Sequence, residues 1–354
     1  MRDLSGLALS LWQRGAFSSL LSPFAWIYGR AMRFRERLYL EGLLPRYRLP
    51  CKVICVGNIT LGGSGKTPMV EYLARHFKER GFKVGVLSRG YKGGRERFGG
   101  VVSDGRELFL GPEEAGDEAW MLAEHLPGVP VVVGRDRYRM GLLMCERFGT
   151  ELIIMDDGFQ HLRLMRDVDL VLLRPPDLRE ALFPQGRLRE PLSALRRADL
   201  LVITHWEDSD PPGEGLQEKL RQVAGSLPTF HATLRPLDLY DPSSRISLPL
   251  SFLKGKRVCA FCGVAFPRPF FESIVRLGGS LIMKRSFGDH HIYSESELAE
   301  LQESCEDVDF FLTTEKDVVK LRGVKFQNPI YVLRTSLEVG EDFTDKMMEL
   351  LSGE

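Results

Sequence analysis

The chain has 354 residues, of which 44% are hydrophobic and 27% charged, and its 48 Lys and Arg residues are balanced by 48 Asp and Glu residues. This balance argues against broad nucleic-acid binding, which needs an excess of basic side chains on one face, so we expect no nucleic-acid partner. No apolar run is long enough to span a bilayer as a helix, and six irregularly spaced cysteines predict free thiols in a reducing cytosol.

The N-terminal segment, residues 1–48, is basic and aromatic. Residues 1–49 hold eight arginines against three acidic residues, together with eight aromatic side chains. Such a mixture is typical of a helix that lies in a lipid interface, and a helix packed on its own domain is the alternative. We predict an amphipathic membrane-association segment, and the side chains expected in the interface are Trp12, Phe17, Leu20, Leu21, Phe24 and Trp26.

From residue 49 onward, short apolar runs alternate with amphipathic stretches of helical period. The strand-like runs are Val53–Val56, Val84–Leu87, Val129–Val133, Leu152–Met155, Leu170–Leu173 and Leu200–Ile203. Between these runs lie stretches with the apolar periodicity of a helix, at Met69–Arg80, Glu113–Glu124 and Asp136–Arg147. This alternation predicts an α/β domain over residues 49–228, built as a doubly wound parallel sheet.

The alternation is interrupted by a proline- and serine-rich stretch before it resumes. Pro236, Pro242, Ser243, Ser244 and Pro249 lie in residues 229–254, which we interpret as a linker. The second series of strand-like runs consists of Val258–Phe261, Ser280–Lys284, Asp309–Thr313 and Ile330–Leu333. Residues 255–354 are therefore predicted to form a second, smaller α/β domain.

A glycine-rich loop follows the first predicted strand and precedes the first predicted helix. This arrangement, ending in Gly65-Lys66-Thr67, is that of a P-loop, in which backbone N–H groups and the helix N-terminus bind nucleotide phosphate. Lys66 would reach the β- and γ-phosphates, and the Thr67 hydroxyl would bind Mg²⁺. Thr60 stands where the strict motif has its first glycine. The candidate nucleotide-binding residues are Thr60, Gly62, Gly63, Ser64, Gly65, Lys66 and Thr67.

Two pairs of acidic residues are candidates for the chemistry. Asp156 and Asp157 follow a hydrophobic strand at the edge where α/β sheets bind ligands, a position that holds the Mg²⁺-associated aspartate in P-loop proteins. A helix cap is the alternative for either one alone. Asp117 and Glu118, taken alone, are an ordinary acidic first turn that complements a helix dipole.

Nine short motifs occur together in one order along the chain. They are Gly57-Asn58, Gly62–Pro68, Ser88–Tyr91, Gly116–Glu118, Val133–Arg137, Asp156–His161, Gly186–Pro191, Asp289–Tyr293 and Thr313–Asp317. In this set the chain resembles the tetraacyldisaccharide 4′-kinases, the lipid A 4′-kinases of Gram-negative bacteria, over about residues 1 to 335. The resemblance implies phosphorylation of the 4′-hydroxyl of a tetraacylated, 1-phosphorylated glucosamine disaccharide to form lipid IVA, with ATP and Mg²⁺. It also implies two α/β domains joined by a short β linker, and an N-terminal helix docked on the cytoplasmic face of the inner membrane.

The resemblance also assigns expected roles to individual residues. Asp117 would be the general base, with Asp157 the next candidate, and His290 would pair with Asp117 from the second domain. Glu118, Asp156 and Asp157 would lie around the metal with Thr67. The residues expected at the substrate are Asn58, Arg89, His161 and Arg189, with a salt bridge as the alternative for Arg189. Arg187 stands where the family has proline, so the resemblance implies no role for it.

Two other function classes share parts of this pattern. Partitioning and maturation ATPases use the same Gly-Gly-x-Gly-Lys-Thr loop on membranes, but they carry a lysine where this chain has Leu61. A non-enzymatic membrane adaptor would not need Lys66, Thr67 and the acidic residues intact. Cys259 and Cys262 have metal-ligand spacing without a second ligand pair, so we interpret them as structural.

Overall fold

The computed structural model describes residues 19–206, 215–305, 307–321 and 323–353. The helices are α1 (Ser22–Leu40), α2 (Lys66–Glu79), α3 (Pro112–Ala115), α4 (Asp117–His125), α5 (Arg137–Phe148), α6 (Gly215–Ala224), α7 (Arg268–Arg276), α8 (Glu295–Glu303), α9 (Glu315–Val318) and α10 (Asp342–Ser352). Short 3₁₀ turns span Ser19–Leu21, Pro175–Arg179, Leu192–Arg197, Leu250–Leu253 and Val319–Leu321. The strands are β1 (Lys52–Gly57), β2 (Val84–Ser88), β3 (Gly100–Ser103), β4 (Val131–Val133), β5 (Leu152–Asp156), β6 (Val168–Leu173), β7 (Leu200–Trp206), β8 (Thr229–Asp241), β9 (Ile246–Leu248), β10 (Arg257–Cys262), β11 (Ser280–Ser286), β12 (Phe310–Thr314) and β13 (Ile330–Val339).

Within these residues the strands form one mixed sheet in the order β11-β10-β12-β13-β8-β7-β6-β1-β5-β2-β4-β3, with β9 added beside β8. Strand β1 is central and pairs in parallel with β5 and β6. Val56 lies opposite Asp156 in this register, so the loop after β1 meets the acidic end of β5 at one edge of the sheet. That edge is where ligands bind in parallel α/β sheets.

Apolar side chains cover both faces of the sheet around β1. Ile54 and Val56 face a cluster that includes the buried side of α2, while Val53 and Cys55 face a second cluster that includes residues of α5. Successive strand residues point to opposite faces, so an unbroken apolar run is what a strand covered on both sides requires. The predicted α/β class, with helices on both faces of a largely parallel sheet, is confirmed.

The predicted helix over Glu113–Glu124 is two helices in the structure. Gly116 separates α3 from α4 and has a φ of +84°, a conformation that glycine adopts without steric cost. A Cβ at this position would come within 2.8 Å of the Tyr91 carbonyl oxygen. The break makes Asp117 the first residue of α4, at the helix end that favours a carboxylate.

Residues 229–254, which we interpreted as a linker, belong largely to the sheet. Strand β8 pairs in parallel with β7 and antiparallel with β13, and it thereby joins the first lobe (β1–β7) to the second lobe (β10–β12 with α7–α9). Its pairing with β13 shifts register beside Pro236, as expected of a residue that has no N–H to donate. The prolines and serines therefore mark an irregular strand and its hairpin to β9.

Helix α10 returns from the second lobe to the first. Phe343, Met347 and Leu351 are buried in the cluster that also contains the inner face of α2, and the Phe343 ring lies 5.5 Å from that of Phe230. The smaller domain expected over residues 255–354 thus includes a helix whose apolar face packs on the first lobe.

Helix α1 packs on the first lobe along one narrow face. Ala25 and Gly29 are buried, and a Cβ on Gly29 would lie 2.7 Å from the Leu182 side chain. On the other sides Phe24 is 62% exposed and Trp26 63% exposed. None of the helices among the described residues is long and apolar enough to cross a membrane. Of the predicted interfacial side chains, those of Trp12 and Phe17 lie outside the described residues.

Candidate active site

Hydrogen bonds from neighbouring side chains hold the loop between β1 and α2 in place. Gly65, with a φ of +82°, turns the chain into α2. The Asn58 amide donates to the Ser64 hydroxyl oxygen over 2.9 Å, and the Thr204 hydroxyl donates to the Ser64 carbonyl over 3.0 Å. Since the first N–H groups of a helix lack partners within it, the start of α2 is suited to an anion. Asn58, expected at the substrate, is buried and supports the loop.

Asp157 lies between two cations. The Lys66 ammonium is 3.4 Å from its carboxylate, and the Arg189 guanidinium donates to both of its oxygens at 3.0 Å. Its backbone has a φ of +48°, an uncommon conformation for a residue with a side chain. Burial acts to raise the pKa of Asp157, but Lys66 and Arg189 overcome this effect and hold the pKa well below its usual range. Both carboxylate oxygens are thus engaged by cations and are not free to take the proton of an attacking hydroxyl, which counts against Asp157 as the alternative general base.

Asp156 is in the opposite electrostatic situation. Its side chain is buried, accepts one hydrogen bond of 3.0 Å from the Ser88 hydroxyl, and leaves Oδ1 without a hydrogen-bond partner among the described residues. Burial, followed by the charges of Glu118 and Asp157, raises the pKa of Asp156 to about 7. A buried oxygen acceptor of this kind fits a cation.

No cluster of three or more His, Cys, Asp or Glu side chains that could hold a metal by itself occurs in the described part of the chain. Mg²⁺ does not require one, because it usually takes one or two carboxylates and completes its shell with phosphate oxygens and water. Asp156 and Thr67 fit such a site. The Glu118 carboxylate is close enough for its negative charge to raise the pKa of Asp156. The oxygens of Asp157 are already engaged by Lys66 and Arg189.

Asp117 and His290 meet across the two lobes. His290 Nδ1 is 3.7 Å from Asp117 Oδ2, and His290 Nε2 is 4.0 Å from Glu118 Oε1. The edge of the Tyr91 ring packs against the imidazole, with ring centroids 5.6 Å apart. His290 has a φ of +58°, and such strained residues are concentrated at functional sites. The structure thus brings together the two residues that the family resemblance paired.

Two lysines complete this cluster. Lys316 lies in the Thr313–Asp317 motif but received no role from the sequence, and Lys320 was not singled out. Lys316 Nζ is 2.9 Å from Asp289 Oδ1, 3.2 Å from Glu118 Oε1 and 3.0 Å from His290 Nε2. Lys320 Nζ lies 3.7 Å from Asp117 Oδ2. Burial acts to raise the pKa of Asp117, yet His290 and Lys320 lower it. The position of Lys316 just after the carboxyl end of β12 was the available sequence signal.

Arg89 and His161, expected at the substrate, have other neighbours in the structure. The Arg89 guanidinium donates to Glu96 over 2.7 Å. Burial and then the charge of Arg137 lower the pKa of His161 to about 4, so its imidazole is neutral at neutral pH. Arg137 is itself buried, and its Nε has no hydrogen-bond partner among the described residues.

Arg187 braces the phosphate-binding loop. Its guanidinium donates to the Leu61 carbonyl and lies over the Phe266 ring, 4.5 Å from the ring centroid. Arg174 stacks on the same ring at 3.4 Å. Phe266 belongs to the second lobe, so this sandwich is a contact between the lobes beside the loop.

Comparison with known proteins gives consistent matches along almost the whole chain. The family model described as tetraacyldisaccharide-1-P 4′-kinase matches residues 17–352. A tetraacyldisaccharide 4′-kinase of Desulfatibacillum aliphaticivorans is 39% identical over 354 residues, covering 95% of this chain and 94% of its own. One of Geobacter sulfurreducens is 42% identical over 307 residues, covering 86% and 84%. A solved structure of LpxK from Aquifex aeolicus in complex with ATP has a TM-score of 0.77 at 35% identity, covering 95% of this chain and 99% of its own.

Proposed function

The chain belongs to the tetraacyldisaccharide-1-P 4′-kinase family and is an ATP-dependent lipid A 4′-kinase, and we propose that the cluster between its two lobes carries the transfer. This membership confirms the resemblance drawn from the motifs, and it disfavours the partitioning ATPase and the adaptor. The observation that carries the proposal is that Asp117 contacts His290, while the neighbouring Glu118 feels the charges of both His290 and Lys66, so that three separate segments meet at one site. The substrate is the tetraacylated disaccharide 1-phosphate, whose 4′-hydroxyl attacks the γ-phosphorus of ATP.

On binding ATP, Lys66 would exchange its ion pair with Asp157 for contacts with phosphate oxygens. Its ammonium lies 3.4 Å from the Asp157 carboxylate. With ATP bound, its ammonium would contact the β- and γ-phosphate oxygens and stabilise the charge that develops there as the bond to the γ-phosphorus breaks. The pairing of Asp157 with Arg189 places a second cation at the same point, within reach of phosphate.

Asp117 is proposed to take the proton of the attacking hydroxyl. Its lowered pKa keeps it ionised at neutral pH, so it accepts a hydrogen bond from the hydroxyl and orients it. Because the transition state of phosphoryl transfer is loose, the proton leaves late, and a weak base in the right place suffices. His290 and Lys320 hold the carboxylate by charge and position. The hydroxyl oxygen bonds to phosphorus as the P–O bond to ADP breaks, its proton passes to Asp117, and ADP departs with the electrons of the broken bond.

Mg²⁺ is proposed to bind beside the loop through Asp156 and Thr67, with Glu118 contributing charge. When bound it would neutralise phosphate charge and orient the γ-phosphate. The buried Oδ1 of Asp156, without a partner among the described residues, supports this assignment. Asp157 is proposed to position Lys66 and Arg189 rather than to contact the metal directly.

The enzyme is proposed to act on the cytoplasmic face of the bacterial inner membrane, held there by α1 and the residues before it. Two observations support this proposal. The outer sides of α1 expose large apolar side chains, and its inner side reaches the site: the Tyr28 hydroxyl donates to the Arg189 carbonyl over 2.7 Å, and Arg35 donates to the Gln160 carbonyl over 2.9 Å. A lipid drawn to α1 would therefore arrive next to the loop that holds Asp157.

The direct test is transfer of radiolabelled phosphate from ATP to the lipid disaccharide, separated by thin-layer chromatography. Asp117→Asn is expected to lower kcat by roughly 10²–10⁴-fold while ATP affinity changes little. Glu113→Gln is the matched control, because this exposed acidic residue lies one helix earlier. An Asp117→Asn enzyme that fails only in binding Mg²⁺-ATP would reassign Asp117 to the metal, and absence of lipid product from the unmodified enzyme would refute the function.

A further inference from the structure

A second charged cluster lies at the opposite end of α4 from Asp117. The His125 Nδ1 atom is 3.1 Å from Glu71 Oε2 on α2, and its Nε2 atom is 3.8 Å from Glu315 Oε1 on α9. All three side chains are largely enclosed, with 20% to 24% of their surface exposed. This cluster is not part of the chemistry proposed above, yet it joins three elements that carry the site.

Each of the three helices bears active-site residues. Helix α2 begins with Lys66 of the phosphate-binding loop, α4 begins with Asp117 and Glu118, and α9 contains Lys316, which contacts Glu118. The nine residues of α4 span about 12 Å at 1.5 Å per residue. The contact between α4 and α9 is thus fixed at both ends, by Lys316 at one and by His125 at the other.

We propose that His125 is a positioning residue whose imidazolium ties the phosphate-loop helix to the second lobe, and that its deprotonation loosens the alignment of Lys316 and Lys320 against Glu118 and Asp117. The proposal rests on the kinase function assigned above. It adds a proton-dependent contact that sets the geometry of the two lobes.

The charges around His125 support a cationic imidazole. Glu71 faces it from α2, Glu124 is its neighbour on α4, and Glu315 faces it from α9. The nearby cation on α2 is Arg75. Arg75 also donates to the His125 carbonyl over 2.9 Å. Burial acts to lower the pKa of His125, but the hydrogen bond that its imidazole donates to Glu71 and the charges of Glu71 and Glu315 raise the pKa above the ordinary 6.5.

The pKa of Glu315 is raised as well. Burial raises its pKa to about 7, against the charges of His125 and Arg334 and a 3.2 Å hydrogen bond from the Thr335 N–H. Both groups bind protons more tightly in the folded state. Their contribution to stability therefore falls as pH rises, from 4.5 through about 7 for Glu315 and from 6.5 through the raised pKa for His125.

The first measurement is an NMR titration of the protein labelled at histidine, in which His125→Gln assigns one of the seven histidine signals. We expect His125 to titrate above the ordinary histidine range and to return toward it in Glu315→Gln, whose carboxamide keeps the shape and the acceptor for the Thr335 N–H. A His125 that titrates at or below its ordinary value, or that ignores Glu315→Gln, overturns the proposal. This readout does not depend on activity, so it separates failure of the proposal from failure of the kinase function.

The second measurement is the pH profile of kcat/KM. His125→Gln is expected to lose about tenfold near pH 7, where the imidazolium and an ionised Glu315 coexist. This is the size expected for a hydrogen bond to a charged group, and the variant should converge with the unmodified enzyme at high pH, where neither the histidine nor the glutamine side chain is charged. His76→Gln on α2, whose ring contacts Arg80, should leave the profile unchanged. Parallel profiles of His125→Gln and the unmodified enzyme would mean a merely structural role and overturn the proposal. If His125→Gln does not fold, Glu315→Gln carries the same comparison.

Discussion

Replacing the exposed aromatic residues of α1 is expected to release the enzyme from membranes without harming its nucleotide site. Phe24 is 62% exposed and Trp26 is 63% exposed, and a fully buried aromatic side chain removes about 150–250 Å² from water. Transferring the exposed part of both side chains into a lipid interface would therefore bury roughly 240 Å², which is about 6 kcal/mol at about 25 cal/mol per Å². Even half of that contribution changes a partition coefficient by about 100-fold.

The assay is co-sedimentation with vesicles, comparing the double variant Phe24→Ser, Trp26→Ser with the unmodified enzyme. Ile246→Ser is the matched control, because Ile246 is 57% exposed on β9. Running neutral and anionic vesicles in parallel separates apolar insertion from attraction of the arginines to headgroups. We expect the double variant to lose at least about 100-fold in binding to both vesicle types, and the control to lose none.

Two further measurements on the double variant, binding of a fluorescent ATP analogue and the melting temperature, show whether a loss of vesicle binding reflects a lost membrane contact or a damaged fold. The buried contacts of α1 are made by Ala25 and Gly29, so the double variant should fold and bind nucleotide normally. Undiminished vesicle binding by the double variant would refute the proposed interfacial face. Loss of nucleotide binding together with a lowered melting temperature would instead support the alternative that α1 is only a packed helix.

Five further predictions concern the transfer site. Lys66→Ala should lower kcat by about 100-fold or more in the phosphate-transfer assay, and Thr67→Ala should raise the Mg²⁺ requirement in a way that added Mg²⁺ partly restores. In a double-mutant cycle, Asp117→Asn and His290→Ala should cost less together than the sum of their separate penalties in kcat, and full additivity would contradict their action as one unit. The Mg²⁺ concentration needed for half-maximal activity should rise as pH falls through about 7, because a proton competes with the metal for Asp156, and an unchanged Mg²⁺ requirement across that range would contradict its role at the metal. Because its buried carboxylate is disfavoured when charged, Asp156→Asn should raise the melting temperature more at pH 8 than at pH 6 while abolishing transfer, as calorimetry and the same assay would show.

The local parts of the fold could be predicted because their signals lie within single segments. A strand covered on both faces must be continuously apolar, and β1, β5 and β6 all are. The glycines and Lys66 were enough to predict the phosphate-binding loop. Gly116 was misinterpreted because one glycine in a helical pattern is often tolerated, and only the close approach of the Tyr91 carbonyl shows that a break is required.

The parts that sequence reasoning missed depend on contacts between distant segments. Nothing near Lys316 indicates that it meets Glu118, because that contact exists only once β8 has joined the two lobes. The amphipathic pattern of α10 predicts a buried face but not which lobe covers it. Arg187 was left without a role because its function is to brace Leu61 and Phe266, which lie far from it in sequence.

The electrostatics of the site suit two ligands of opposite charge. The Lys66 ammonium lies 3.4 Å from the Asp157 carboxylate, and Asp156 has a buried Oδ1 without a hydrogen-bond partner among the described residues. Phosphate supplies the negative charge that can draw Lys66 away from Asp157, and a divalent cation supplies the positive charge that favours ionised Asp156. Neither phosphate nor the cation alone provides both the negative charge for Lys66 and the positive charge for Asp156. We therefore expect nucleotide and metal to bind with positive cooperativity, and Asp156→Asn to remove that coupling while leaving metal-free nucleotide binding intact, which calorimetric titration of ATP with and without Mg²⁺ would measure.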